Sequence, residues 1–90
     1  MRKPETNPQD AIAIGLAALG WAVSDPARAD RLLALTGLTP DDLRRRAADP
    51  VLLVALLGFL EAHEPDLLAC AAALEIAPAM LVDVRRMLEP

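Results

Sequence analysis

The residues best suited to chemistry lie in one short acidic segment of the chain. His63 is the only histidine, and it stands among Glu61, Glu64 and Asp66. An imidazole beside three carboxylates suggests a metal, but a zinc site usually takes four ligands, most of them Cys or His. Cys70 could join the cluster only if the chain folded back on itself. We therefore predict no metal site, and expect His63 near a helix end whose dipole complements its charge.

A nucleophilic cysteine is the other chemistry that this segment could offer. Cys70 is the only cysteine, and residues 67–73 around it are otherwise Leu and Ala. An apolar setting raises the pKa of a thiol and makes it unreactive. The chain also has no glycine motif of the kind that binds phosphate. A metal- or thiol-dependent enzyme using His63, Glu64 and Cys70 is therefore the weakest alternative, and we predict no catalytic residue and no cofactor.

Five arginines form a second candidate site on two neighbouring predicted helices. These arginines are Arg28, Arg31, Arg44, Arg45 and Arg46. The two helices flank Gly37 and resemble a helix-turn-helix, whose second helix reads the major groove of DNA. Two packing positions depart from that motif: Leu33 replaces a small residue, and Arg46 replaces an apolar one. Because the net charge of −4 also opposes phosphate binding, a small DNA-associated regulator is an alternative and nucleic acid is not the expected partner.

Prolines divide the chain into the elements that must position these residues. Six of the eight prolines follow a residue suited to the start of a helix or the end of a loop. Proline suits the first helical position because its missing N–H has no partner within the helix. The intervening stretches are rich in Ala, Leu and Arg, which favour helices. The six predicted helices span residues 8–23, 26–36, 40–47, 50–62, 65–75 and 78–88.

The segment after the second predicted helix carries the most specific local signals. Gly37 is predicted to end that helix in a left-handed conformation, with Leu38 completing a Schellman motif. Thr39 and Asp42 have the spacing of a capping box, and Leu38 and Leu43 have that of a hydrophobic staple. We expect Leu38 to hold two helices together at one tight corner.

The composition predicts the fold class. Ala and Leu supply 35 of the 90 residues, whereas Val, Ile, Thr, Phe and Trp together supply 13. Few strand formers argue against a sheet, and a single cysteine excludes an internal disulfide framework. We predict an all-α protein: a compact bundle of five or six short helices with orthogonal or irregular packing. Residues 1–90 form one domain, with residues 1–7 as a flexible N-terminal tail and the first and fourth helices at the centre.

Two of the predicted helices carry apolar residues on every side. The fourth is apolar all round from Val51 to Leu60. The first has two opposite apolar faces, one with Ile12, Leu16, Leu19 and Val23 and the other with Ile14, Ala18 and Trp21. A helix that is apolar all round is buried on all sides. Either close contacts over Ala and Gly hide this surface within one chain, or an exposed patch binds another chain.

We predict that the surplus apolar surface serves protein–protein interaction. The predicted interface lies at Ile14, Ala18 and Trp21, and its partner is another protein or a second copy of the chain in a homodimer. Gly15 and Gly20 are expected to let a neighbouring helix approach closely.

The longest charge-free run, residues 11–24, could be a membrane span or a signal peptide, so it bears on the cellular compartment of the protein. Its 14 residues fall short of the ~20 that a membrane-spanning helix needs. A signal peptide is the alternative, with Arg2 and Lys3 before the run, although Glu5 and Asp10 dilute that positive flank. We predict no membrane span and a cytoplasmic protein whose thiol stays reduced.

Short motifs along most of the chain resemble those of a known family. The motifs are Ser24-Asp25-Pro26, Arg31-Leu32-Leu33-Ala34-Leu35-Thr36-Gly37-Leu38, Pro40-Asp41-Asp42-Leu43-Arg44, Asp49-Pro50 and Phe59-Leu60. In these the chain resembles an uncharacterised family of small bacterial proteins, a domain of unknown function. The resemblance implies an all-helical cytoplasmic protein. It supplies no activity, cofactor or catalytic residue, and so lends no support to an enzyme.

Overall fold

Six α-helices and no strand make up residues 8–90, the part of the chain that the computed structural model describes. The helices are α1 (Pro8–Val23), α2 (Pro26–Thr36), α3 (Pro40–Arg45), α4 (Pro50–Glu61), α5 (Glu64–Leu74) and α6 (Pro78–Leu88). This architecture confirms the predicted all-α bundle. The flexible tail predicted for residues 1–7 lies outside the described residues.

Side-chain caps explain why three of the helices begin where they do. Asp25 accepts the backbone N–H of Arg28 at 2.9 Å at the start of α2. Asp49 accepts the N–H of Val51 at 2.9 Å at the start of α4. Thr39 and Asp42 exchange two such bonds at the start of α3, which confirms the capping box. These bonds satisfy N–H groups that have no partner within the helix.

Gly37 ends α2 in the left-handed conformation, with φ +76°, but not by the predicted Schellman motif. Its N–H donates to the carbonyl of Leu33 at 3.0 Å, which is the simpler αL closure. The N–H of Leu38 donates instead to Oγ1 of Thr36 at 3.2 Å. The hydroxyl thus competes for the donor that a Schellman motif requires.

The Schellman motif occurs at the end of α5, around a residue that is not glycine. Glu75 adopts φ 58°, and its N–H donates to the carbonyl of Ala72 at 3.1 Å. The N–H of Ile76 donates to the carbonyl of Ala71 at 3.0 Å. α5 therefore ends one residue before its predicted bound of 75, because left-handed backbone does not continue a right-handed helix.

Two other helix ends also fall short of their predicted bounds. α3 ends at Arg45 rather than at residue 47, and α4 ends at Glu61 rather than at residue 62. α3 ends where Arg46 leaves helical backbone, with φ −123° and ψ 23°, while its N–H still donates to the carbonyl of Asp42 at 2.7 Å. Asp49 precedes Pro50, and its N–H donates to the carbonyl of Arg46 at 2.9 Å in the turn between the helices.

The centre of the fold lies where α1, α4 and α6 meet, since each of these helices packs against the other two. The first and fourth helices are central, as predicted, and α6 joins them. The large side chains buried at this centre come mainly from α4 and α6, and they are Leu52, Leu53, Leu56, Leu57, Phe59, Leu60, Leu81, Val84 and Leu88.

α1 enters this core mainly by its smallest residues, with Leu19 as the one large side chain of α1 that is buried there. Ala11, Gly15, Ala18 and Ala22 follow one another at i, i+4, i+7 and i+11, and all four are buried. We call these four residues the α1 stripe. A Cβ built on Gly15 would lie 3.0 Å from Cδ1 of Leu53 in α4. The close helix approach predicted at Gly15 is therefore confirmed, and the larger apolar residues of α1 flank the contact.

Candidate interaction surfaces

The carboxylates around His63 contact His63 itself and arginines of two other helices. His63 lies at the N-cap position of α5, and its Nδ1 is 3.0 Å from Oδ2 of Asp66. The same carboxylate oxygen pairs with Nη2 of Arg31 from α2 at 2.7 Å. Glu61 pairs instead with Arg85 of α6. Within residues 8–90, no group of three or more His, Cys, Asp or Glu is arranged to hold a metal ion.

Cys70 is fully buried in the core. Burial raises the pKa of its thiol from 9.0 to about 11, because a thiolate there would lose its hydration. The stability tied to the neutral thiol is present below pH 9.0 and is lost as the pH rises toward 11. A buried, protonated thiol fits the structural role that the apolar neighbours of Cys70 predict.

The arginines of α2 are engaged by their own chain. The guanidinium of Arg28 lies 3.6 Å from the ring centroid of Trp21. It also donates to the carbonyl of Trp21 at 2.5 Å and to that of Ala22 at 3.2 Å. Arg28 thus covers Trp21 and satisfies carbonyls at the end of α1, where a cation is favoured. Arg31 is held by Asp66, as described above.

The arginines of α3 and its end pair with neighbouring carboxylates on the surface. Arg44 and Arg45 approach Asp41 at 3.5 and 3.2 Å, and both are largely exposed, at 71% and 78%. Arg46 pairs with Asp42 at 3.8 Å and with Asp49 at 3.1 Å. Hydrogen bonds from backbone N–H groups and from Thr39 and Arg46 hold the pKa of both these aspartates below its ordinary value. α3 has six residues, about 9 Å of helix, which is short for an element that reads a groove.

The predicted interface residues of α1 have different environments. Ala18 is fully buried and belongs to the α1 stripe, so it offers no surface to a partner. Ile14 and Trp21 are half-buried and pack against the core, and Arg28 covers the ring of Trp21. The apolar side chains that α1 exposes lie on its other face, at Leu16 and Val23, which are 37% and 40% exposed.

That face of α1 forms one wall of an apolar groove of about 400 Å³, with α3 as the other wall. We call it the α1–α3 groove. It is lined by Leu16, Leu19, Gly20, Val23, Pro40, Leu43 and Arg44. A Cβ built on Gly20 would meet nothing within 4 Å beyond its own stretch of helix. Within residues 8–90, no other helix makes the close approach predicted at Gly20, in contrast to Gly15.

A second apolar groove, of about 410 Å³, lies between α2 and α4. We call it the α2–α4 groove. It is lined by Leu35, Thr36, Ala55, Gly58, Phe59 and Ala62, none of them charged. Leu35 is the most exposed large apolar residue in the described part of the chain, at 73%. Gly58 resembles Gly20, because a Cβ on it would also meet nothing within 4 Å.

Sequence reasoning missed both grooves, although signals for them exist. Leu35 lies off the apolar stripe that α2 turns to the core, so its exposure could be read from helical periodicity. Gly20 shares a face with Leu16 and Val23, and a glycine inside a helix costs ~1 kcal/mol relative to alanine. The spacing could not reveal that α1 would bury its alanines, which lie between its two faces of larger apolar residues.

No individual helix in residues 8–90 has both the length and the apolar character to cross a membrane. α5 and α6 reach the necessary length and apolar character only when they are taken together, and the chain bends by 98° between them.

The comparison with known proteins agrees with the motifs in the sequence. A family model described as a protein of unknown function, DUF3572, matches residues 8–90. No curated protein and no solved structure gives a significant match. The family match covers all six helices, including the α1–α3 and α2–α4 grooves. The chain therefore belongs to the DUF3572 family of proteins of unknown function.

Proposed function

We propose that this protein is a non-enzymatic interaction module that binds an amphipathic helix of a partner protein in the α1–α3 groove. The observation that carries the proposal is an apolar groove with one charged residue, Arg44, at its edge. Amphipathic helices bind such grooves through apolar residues spaced at i, i+3, i+4 and i+7. The groove offers Leu16, Leu19 and Val23 of α1 at a matching spacing.

Gly20 supports a helix as the occupant. It lies between the exposed side chains of Leu16 and Val23, with open space where its Cβ would be. A glycine at this position lets the backbone of a second helix approach closely. Within the chain, Gly15 makes a related contact, in which the side chain of Leu53 from α4 occupies the space in front of the glycine.

Arg44 determines the charge expected of the partner. Its side chain is 71% exposed, and its ion pair with Asp41 is long, at 3.5 Å. The other wall of the groove is uncharged, since α1 has no charged residue after Asp10. An acidic residue on the partner helix, beside its apolar face, would therefore meet Arg44. Such a pair at the edge of an interface contributes mainly to specificity and to the rate of association.

Photo-crosslinking tests this proposal in cells that express the protein. A benzoylphenylalanine placed at Val23 lies in the groove, and the same group at Leu68, a 48% exposed leucine of α5, is the control. We expect a crosslinked partner from position 23 and none from position 68. The purified partner should bind the wild type, and Leu16→Asp and Arg44→Glu should each weaken that binding at least about tenfold.

Two outcomes would contradict the proposal. One is that the two positions give the same products. The other is that the partner binds Leu16→Asp and Arg44→Glu as tightly as the wild type, with circular dichroism confirming that both variants fold. Crosslinks from Val23 to a second copy of the chain and to no other protein would contradict the part of the proposal that makes the occupant a different protein.

A further inference from the structure

The two walls of the α1–α3 groove differ in how firmly the fold holds them. α1 is fixed in the core by the α1 stripe, whereas α3 is the one helix of residues 8–90 with no buried residue. Only Leu43 of α3 and Ala47 in the turn after it pack against the core, and both are half-buried. A helix of six residues is not stable by itself in water, so α3 depends on this small apolar contact.

The polar interactions of α3 hold its shape and not its position. Thr39 and Asp42 form the capping box, and the arginines of α3 pair with Asp41, which lies within four residues of both. These bonds join groups that move together with the helix. We call residues 39–45, which comprise α3 and its cap, the α3 lid.

Both ends of the α3 lid can absorb a change in backbone angles. Leu38, just before the lid, is half-buried against the core and fixes the point where the lid begins. Thr39 is extended, with φ −108° and ψ 160°, and Arg46 leaves helical backbone at φ −123° and ψ 23°. Hinges are typically a few such residues at the ends of an element.

We infer that the α3 lid closes against Gly20 of α1 when the groove is empty and is displaced when a partner helix enters. The inference rests on the function proposed above and adds how access to its groove is controlled. Closure is favoured because Leu16 and Val23 are 37% and 40% exposed, and burying apolar surface is favourable.

The chain already contains the contact that closure would form. Leu53 of α4 occupies the space in front of Gly15 in α1. Leu43 of the lid and Gly20 line opposite walls of the groove, and the space in front of Gly20 is open. In the closed lid, Leu43 takes the place at Gly20 that Leu53 takes at Gly15.

Closure buries no charge. α1 has no charged residue after Asp10. The side chains of Asp41, Arg44 and Arg45 on the lid are 55%, 71% and 78% exposed, and Arg44 lies at the edge of the groove. The lid and a partner helix therefore compete for the same apolar face of α1, and the affinity for the partner is reduced by the fraction of closed molecules.

Disulfide trapping of the full chain tests the closure. A disulfide needs two Cβ atoms about 3.8 Å apart, whereas no atom of Leu43 lies within 4 Å of a Cβ on Gly20. The pair Gly20→Cys and Leu43→Cys can therefore be bridged only if the lid moves toward α1.

The matched control is the pair Leu35→Cys and Gly58→Cys across the α2–α4 groove. A Cβ on Gly58 also has open space in front of it, but α2 is anchored by the fully buried Leu32. In a glutathione buffer, we expect the lid pair to form its disulfide at least about tenfold faster than the control pair. Peptide mass spectrometry identifies the bridge. Equal rates, or no bridge in the lid pair, would overturn the inference.

Hydrogen exchange of the unmodified protein gives an independent measurement. The N–H groups of Leu43 and Arg46 donate to the carbonyls of Thr39 and Asp42 at 3.2 and 2.7 Å. We expect both to exchange at least about 100-fold faster than the buried amides of α4, at rates that low concentrations of urea do not change, because the lid opens locally. Exchange as slow as that of α4 would also overturn the inference.

Neither measurement needs a partner, so the lid and the proposed function can fail separately. A closing lid with no partner crosslinked at Val23 would overturn the proposed function alone. A fixed α3 in a protein that does crosslink a partner at Val23 would overturn the lid alone.

Discussion

α4 repeats the spacing of the α1 stripe in Val51, Ala55, Gly58 and its cap residue Ala62, and we call these four residues the α4 stripe. The two stripes have opposite environments. Ala11, Gly15, Ala18 and Ala22 are buried against the helices of their own chain. In the α4 stripe, Val51 is 63% exposed and Gly58 has open space in front of it. A stripe of small residues thus indicates where a helix can be approached closely, and the tertiary structure decides whether the chain itself makes that approach.

Gly15 and Gly58 show most directly how the environments of the two stripes differ. At Gly15 a Cβ would lie 3.0 Å from Leu53, so the missing side chain has a function inside the monomer. At Gly58 no neighbour within 4 Å explains the missing side chain. Glycine costs ~1 kcal/mol inside a helix relative to alanine, and no tight contact at position 58 within residues 8–90 requires it. The following experiments test this contrast.

The largest expected effect is on thiol reactivity. Cys70 lies in the core with its pKa raised by burial to about 11, whereas Val51→Cys would place a thiol on the exposed stripe. We expect the added thiol to react with an aromatic disulfide reagent at least about 1,000 times faster than Cys70 at pH 8, because Cys70 reacts only when the chain unfolds. Absorbance kinetics on the wild type and the variant measure both rates. Similar rates would mean that the core around Cys70 is open.

Overfilling the two stripes should change stability in opposite directions. Gly15→Leu would force atoms against Leu53 and should lower the free energy of unfolding by about 1–3 kcal/mol. Gly58→Leu makes the same residue change in open space, so it should leave that free energy unchanged or raise it by about 0.5–1 kcal/mol through helix propensity. Urea denaturation of dilute protein, followed by circular dichroism, measures the free energies of unfolding of both variants and of the wild type. Equal losses in the two variants would contradict the assigned difference between the stripes.

The smallest expected effect concerns the start of α4. Asp49 caps this helix, and its hydrogen bonds with Val51 and Arg46 hold its pKa below the ordinary value of 3.8. The stability that it contributes is therefore present above pH 3.8 and is lost as the pH falls through the lower folded-state pKa. Asp49→Asn keeps an acceptor for the cap but does not titrate. Between pH 7 and pH 3, the melting temperature of the wild type should fall by a few degrees more than that of the Asp49→Asn variant. Equal falls in the two proteins would exclude this role of Asp49.

Helix starts could be predicted because their causes are local. Proline at the first position of a helix and Asp25, Thr39 or Asp49 before it act within one turn of the chain. The same reasoning placed the end of α2 at Gly37. It failed at Glu75, where the chain closes a Schellman motif without glycine, so no glycine marks the end of α5 in the sequence.

The predicted interface illustrates the limit of periodicity. Ile14, Ala18 and Trp21 share one face of α1, and the spacing correctly indicated two apolar faces on this helix. The spacing could not indicate that α1 would enter the core on the α1 stripe. This stripe lies between the centres of the two apolar faces and shares Ala18 with one of them. That choice involves residues far away in the chain, such as Leu53 of α4, whose Cδ1 would lie only 3.0 Å from a Cβ on Gly15.

The amino-acid sequence alone was sufficient to predict the all-α class, the six helices and most of their bounds. Capping, proline geometry and helix propensity involve residues within one turn of each other, and they can be read along the chain. Which apolar face is buried, and which is left open at Leu16 or at Leu35, was decided only by the tertiary structure. Burial depends on how side chains from distant helices fill space together, and no single helix contains that information.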